Sequence, residues 1–196
     1  MTVIRGEGSF RSPLRSDAFH WNEIAGWTLD PRCTSWGDGS SPELRWGDPP
    51  PGTRSFAVLF ERLLEAPEAE ARTAFSFCHW LVYNIPLELR HLPPGIPPQE
   101  SLVNGIYQGL HSGGRLGYLA PTPAMKGRRP GEVSVGRYRF RLLALREPPE
   151  MPPRLTRATF EAMARPFVLG ELEETVVLQA LPGVAPVPVS SRGRVA

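Results

Sequence analysis

Two apolar runs separated by a charged insert dominate the chain. Ser55–Phe60 and Phe75–Ile85 bracket the insert Glu61–Thr73. Neither run has the i, i+3, i+4 spacing of a helix. Both are short, rich in aromatic and β-branched residues, and bounded by turn or breaker residues. That pattern predicts strands covered on both faces, as in the middle of a sheet. His79 lies inside the second run, so its imidazole is predicted in or beside the core. The insert, ERLLEAPEAEAR, is acidic and interrupted by Pro67, and it reads as a loop with at most one helical turn. Tyr138–Leu145 opens with strict alternation. Tyr138, Phe140 and Leu142 share one side and Arg139 and Arg141 the other, which predicts a strand with one wet face.

The remaining segments are punctuated rather than periodic. Asp17–Leu29 carries two tryptophans and predicts an early strand with its turn. Cys33–Trp46, with Gly37-Asp38-Gly39 and Ser41-Pro42, is turn-dense. Pro86–Gly109 reads as a long loop, stiffened by LPPGIPP. Gly117–Pro123 leads into a further loop over 124–136. LTRATFEAMAR predicts the best helix, with Thr156 as N-cap, a stripe of Phe160, Met163 and Ala164, and Pro166 as the stop. Phe167–Gln179 predicts a final strand. The 23 prolines and 19 glycines fit short strands joined by long loops. The expected architecture is mainly β, with a short helix before the last strand. One domain over 17–181 is expected, preceded by a flexible segment 1–16 (or one edge strand at Phe10). The Pro/Ser/Arg composition of 182–196 predicts a disordered tail. No internal repeat is present.

Charge adds little. Lys and Arg number 22 and Asp and Glu 20, a net charge of +2. This lacks the dense basic stripe of a nucleic-acid binder. The cluster Lys126, Arg128 and Arg129 reads as a solvated loop. The two cysteines, Cys33 and Cys78, have no zinc spacing. A buried free thiol is expected at Cys78, with a Cys33–Cys78 disulfide as the alternative. No apolar stretch is long enough to span a bilayer, and the first residues lack a secretory h-region, so a cytoplasmic protein is expected.

Candidate chemistry is sparse. His79 reads either as a pocket residue or as a hydrogen-bonded core histidine. Glu61 and Glu65 read as solvated loop charges rather than cleft carboxylates. The tryptophans read as core or loop anchors. Ser76 and His79 are three apart on one strand and point to opposite faces. His111 and Ser112 have no identifiable third partner. General acid–base chemistry needs two positioned groups of tuned pKa, and only one is visible. The sequence therefore argues against catalysis and names no metal and no cofactor.

Several motifs, in order, resemble the phosphatidylethanolamine-binding protein family, in particular its bacterial Raf-kinase-inhibitor-like branch. They are Ser41-Pro42-x-Leu44-x-Trp46, Pro50-x-Gly52-Thr53-x-Ser55, and the His79-Trp80 strand running to Tyr83-Asn84-Ile85-Pro86. Next come Gln108-Gly109, Gly117-Tyr118 with Pro121 and Pro123, Arg137-Tyr138-x-Phe140, and the helix before a final strand. The match runs from about Asp17 to about Gln179. It implies a β-sandwich with an anion site, and carries ligand-binding roles onto His79, Glu65, Gly117, Tyr118, Pro121 and Tyr138. The departures lie at that site. Leu119 and Ala120 replace two glycines, and Gly136 stands where the family has a second histidine. The acidic Asp-Pro-Asp-Ala-Pro motif is reduced to Leu63-Leu64-Glu65-Ala66-Pro67. Cβ atoms at 119 and 120 hinder backbone approach to an anion, so a weakened or closed headgroup site is expected.

Two readings follow. One is a non-catalytic binding protein that takes a small anion, a phosphate-bearing molecule or a phospholipid headgroup weakly beside His79. The other is a scaffold that has lost the pocket and meets a protein partner. A hydrolase is the third and weakest reading.

Overall fold

A computed structural model describes residues 3–5, 10–63, 76–122, 134–147 and 151–180. Among these residues the chain is mainly β, with one short α-helix before the last strand. The strands are β1 (Val3–Arg5), β2 (Phe19–Asn22), β3 (Gly26–Leu29), β4 (Leu44–Arg45), β5 (Ser55–Leu63), β6 (Ser76–Pro86), β7 (His91–Leu92), β8 (Tyr107–Gln108), β9 (Ser134–Leu145) and β10 (Val168–Ala180). Helix α1 (Arg157–Ala164) lies between β9 and β10. The large sheet has the order β2-β3-β10-β9-β5-β6-β8, and β1 also pairs with β10. All pairings in it are antiparallel except β10 with β3. β4 and β7 form a separate two-stranded sheet.

The central position of β5 explains its unbroken apolar run. Phe56, Val58 and Phe60 join a cluster on one face, with Trp80, Val82, Phe140, Leu142, Leu44, Trp46 and Leu92. Ala57 and Leu59 join a cluster on the other face, with Leu81, Tyr83, Leu143, Leu155, Phe160 and Ala164. The first face lies under the β4–β7 layer and the second under α1. Burying each large apolar side chain contributes about 1.5–3 kcal/mol, so a strand covered on both sides must be apolar at consecutive positions. The helix forms where its pattern predicts. Thr156 Oγ1 accepts from the Thr159 amide at 3.3 Å, and Phe160 and Ala164 are buried.

Strand β6 departs from simple alternation twice. Its pairing with β5 slips between Phe56 and Val58 and again between Phe60 and Glu61. Phe60 lies opposite Trp80 and Glu61 opposite Cys78, so His79 is the extra residue of a β-bulge. Cys78 and Trp80 consequently enter opposite clusters despite their even spacing. The other slip accompanies Asn84, which has φ 57°.

Several expectations need correction. The charged insert does not begin at Glu61. β5 continues to Leu63, and Glu61 is 0% exposed. The side of β9 holding Arg139 and Arg141 is not wet. Both arginines pair with carboxylates, and Arg141 reaches Glu161 on α1. Phe77, expected in the core, is only half-buried. Trp46 and Trp80 are core residues, but Trp21 and Trp27 form an exposed cross-strand pair on the β2–β3 hairpin. Phe10 and Leu14, within the expected flexible segment, are buried in the first cluster. Cys33 and Cys78 are free and lie in different clusters. Glu65, the Lys126–Arg129 loop and the tail 182–196 lie outside the described residues.

Candidate functional site

The bulge turns His79 onto the face that already carries Phe60. Phe60 is the hub of an aromatic group there. Its ring lies 5.4 Å from His79, 5.8 Å from Tyr118, 5.6 Å from Tyr138 and 4.1 Å from Phe140, centroid to centroid. His79 also meets Phe77 at 5.0 Å and Tyr138 at 5.4 Å. The structure thus brings together three residues assigned from sequence, His79, Tyr118 and Tyr138, from β6, the 117–122 segment and β9.

The 117–122 segment is locked against the bulge by a reciprocal pair. The Leu119 amide donates to the His79 carbonyl at 2.8 Å, and His79 Nδ1 lies 2.8 Å from the Leu119 carbonyl. A carbonyl offers only lone pairs, so Nδ1 must carry the proton. Nε2 is then a lone-pair acceptor. It makes no hydrogen bond among the described residues, and it is not sealed from solvent as Trp46 Nε1 and Ser55 Oγ are. His79 is 6% exposed. Burial pushes its pKa down to about 4; the Leu119 contact opposes this, while the charges of Arg62 and His111 add to it. The imidazole is neutral at pH 7.

Other members of the group serve mainly as framework. Gly117 has φ 88°, and a Cβ there would lie 2.8 Å from Pro98 Cα, so the position requires glycine. The Tyr118 hydroxyl donates to the Cys33 carbonyl at 2.7 Å. The Pro121 carbonyl accepts from the Ser35 amide at 3.1 Å. The Tyr138 hydroxyl donates to the Thr122 carbonyl at 3.2 Å. Burial raises the pKa of both tyrosines, which stay protonated at pH 7. Gln108 accepts from Trp80 Nε1 at 2.9 Å and donates to the carbonyls of Pro97 and Gln99.

The departures from the resembling motifs acquire physical meaning. Leu119 Cδ2 faces Gly113, and Ala120 Cβ faces Gly39. Gly136 lies beneath the Tyr138 ring, and a Cβ there would meet Tyr138 Cε2 at 2.8 Å. The ring itself occupies the place from which a second imidazole would project. Restoring that histidine would require Tyr138 to move.

Sequence reading missed Arg62. It follows Phe60 by two on a regular stretch of β5 and therefore leaves the sheet on the imidazole's face. Its neighbours in register are Phe77 on β6 and Tyr138 on β9. Continuing the alternation Phe56, Val58, Phe60 by one step would have found it. Reading Glu61 as the start of a loop hid it.

No nucleophile–base pair forms among the described residues. The Ser76 hydroxyl donates to Glu61 on the opposite face, and Ser112 Oγ accepts from the Cys78 amide. His111 Nδ1 accepts from the Gly113 amide. Burial raises the thiol of Cys33 to about 11 and that of Cys78 to about 12, so neither is a thiolate at pH 7. Among the described residues no group of three or more His, Cys, Asp or Glu side chains converges as a metal site would require. No helix among them is long and apolar enough to cross a membrane.

Comparison with known proteins gives a consistent result. A family model described as phosphatidylethanolamine-binding protein matches residues 19–178. The UPF0098 protein of Aquifex aeolicus is 34% identical over 136 residues, covering 69% of this chain and 71% of that protein. The UPF0098 protein of Methanothermobacter thermautotrophicus is 30% identical over 140 residues, covering 71% and 83%. Among solved structures, Escherichia coli YbcL, described as a new member of the mammalian PEBP family, superimposes with TM-score 0.66 at 25% identity. That match covers 86% of this chain and 98% of YbcL. A putative homologue from Chlamydia trachomatis superimposes with TM-score 0.67 at 21% identity, a likeness of fold, over 86% of this chain and 97% of its own.

Proposed function

The chain belongs to the phosphatidylethanolamine-binding protein family, and on that footing we propose that it is a non-catalytic binding protein holding the acidic end of a small ligand beside His79. One observation carries this reading. An aromatic wall of Phe60, Phe77 and Tyr138 surrounds an imidazole whose Nδ1 is tied to Leu119, leaving Nε2 without a partner among the described residues. A histidine serving only to pack the core would bond both ring nitrogens within the protein, whereas here Nε2 stays open to solvent or ligand. The lack of a nucleophile–base pair among those residues favours binding over turnover. The ligand is a phosphate-bearing small molecule or a phospholipid headgroup. A reducing, cytoplasmic setting suits the two free thiols.

Titration with phosphoethanolamine at pH 7 tests the reading, with the His79 ring nitrogens followed by NMR. A saturable shift in the millimolar range is expected. An unmoved His79 ring at saturating millimolar ligand would overturn it and favour a scaffold whose function lies in a protein partner.

A further inference from the structure

The imidazole and the guanidinium beside it ask for complementary things from a ligand. Glu61 and Arg62 are consecutive on β5 and point to opposite faces. Glu61 passes to the α1 side, where Arg139, Arg141 and Arg157 surround it. Arg62 stays on the His79 side with no carboxylate or hydrogen-bond partner among the described residues. It is half-buried, flanked in register by Phe77 and Tyr138, the two rings that touch His79. A partly desolvated guanidinium presents several N–H donors in a planar fork that suits an oxyanion. Nε2 of His79 presents the opposite: one lone pair and no proton.

We infer that Arg62 and His79 Nε2 together form a receptor for an oxyacid anion that retains one acid proton, the guanidinium taking the charged oxygens and Nε2 accepting the remaining O–H. This rests on the reading that an anion sits beside His79 and narrows it: inorganic phosphate, or a phosphate monoester taken up with its proton, fits, whereas a phosphodiester headgroup, which has no acid proton, does not. A fully deprotonated oxyanion sets its own lone pair against that of Nε2, which leaves the acceptor unsatisfied. Hydrogen phosphate keeps a proton at pH 7, whereas sulfate, of nearly the same size and shape, has none. Burial and the neighbouring charges of Arg62 and His111 keep the imidazole from protonating and becoming a donor at that pH.

Calorimetry of the full chain at pH 7 with inorganic phosphate and with sulfate tests this, alongside NMR of the His79 ring. Phosphate is expected to bind and shift Nε2, and sulfate to bind at least about tenfold more weakly. Arg62→Met should lower phosphate affinity about tenfold or more, and Arg62→Lys should retain part of it, with thermal melts confirming that both fold. Equal affinity for the two anions, with His79 shifting, would overturn the proton requirement and leave the anion reading standing. Unchanged phosphate binding in folded Arg62→Met would remove Arg62 from the site, and unchanged binding in Arg62→Lys would overturn the role given to the planar guanidinium fork. If neither anion moves the His79 ring, the inference and the reading beneath it fall together.

Discussion

Neutralising Glu61 should destabilise the protein more than any change of similar size on its surface. The carboxylate is 0% exposed and lies 3.0 Å from Arg139, 3.5 Å from Arg141 and 2.6 Å from Arg157, while Ser76 Oγ donates to it at 2.6 Å. Glu61→Gln keeps the volume and one acceptor but turns an amide toward guanidinium groups. Removing one partner of a fully buried ion pair costs about 3–5 kcal/mol. Here the arginine side chains retain 23%, 15% and 28% exposure, and each keeps a second carboxylate: Glu173 for Arg139, Glu171 and Glu161 for Arg141, Glu161 for Arg157. The expected loss is therefore about 2–3 kcal/mol, below the full range. For a chain of this length that is a fall in melting temperature of about 4–12 °C.

The same substitution has a pH signature. Burial alone would raise the Glu61 pKa, but the hydrogen bonds from Ser76 and Arg157 and the charges of Arg141 and Arg139 outweigh it, and the net shift from 4.5 is downward. The unfolded chain then binds the proton more readily, so this contribution is complete above pH 4.5 and fades as pH falls through the lower folded value. Urea melts of wild type and Glu61→Gln should differ fully at pH 7 and converge as the solution is acidified below pH 4.5. A difference below about 1 kcal/mol at pH 7, or one that grows on acidification, would refute the argument.

Other outcomes follow from single contacts. Gly117→Ala combines a φ of 88° with a 2.8 Å approach to Pro98, and should cost at least about 2 kcal/mol in chemical denaturation. Phe60→Ala should cost about 3–5 kcal/mol and Phe77→Ala distinctly less, because Phe60 is fully buried and Phe77 half-buried; equal losses would contradict the placement of the two rings. Tyr138→Phe removes only the 3.2 Å bond to Thr122 and should cost about 1 kcal/mol. Native protein at pH 8 should react with a thiol reagent only as fast as it unfolds, since both thiols are buried and lie at about 11 and about 12; a rapid native phase would show otherwise.

Much of this fold is legible in local pattern, and what is not legible depends on distant partners. The central strands and helix α1 follow from apolar runs, a Thr156 cap and the stop at Pro166. The end of β5 does not, because a glutamate inside a strand can be buried only if cations reach it. Those cations are 78, 80 and 96 residues away, at Arg139, Arg141 and Arg157. The bulge at His79 is invisible for a related reason: it is defined by which β5 residues face which on β6, not by β6 alone. Ordered motifs identified His79, Tyr118 and Tyr138 as neighbours. They could not show that the Tyr138 ring covers Gly136 or that His79 presents a lone pair.

The two faces of β5 are coupled at this point. Glu61 and Arg62 lie at the same level of the sheet, opposite Arg139 and Tyr138 on β9 and opposite Cys78 and Phe77 on β6. The ion network on one face ties β5 to β9, to β6 through Ser76, and to α1 through Arg157. That network immobilises the backbone from which Arg62 projects on the other face. A guanidinium that has no carboxylate partner among the described residues is a useful anion receptor only if its backbone is held, because every degree of freedom it keeps must be lost on binding. A carboxylate on the Arg62 side would neutralise it. A carboxylate one residue earlier, directed through the sheet, fixes the strand without meeting the ligand. Weakening the Glu61 network should therefore loosen anion binding as well as lower stability, even though Glu61 never faces the site.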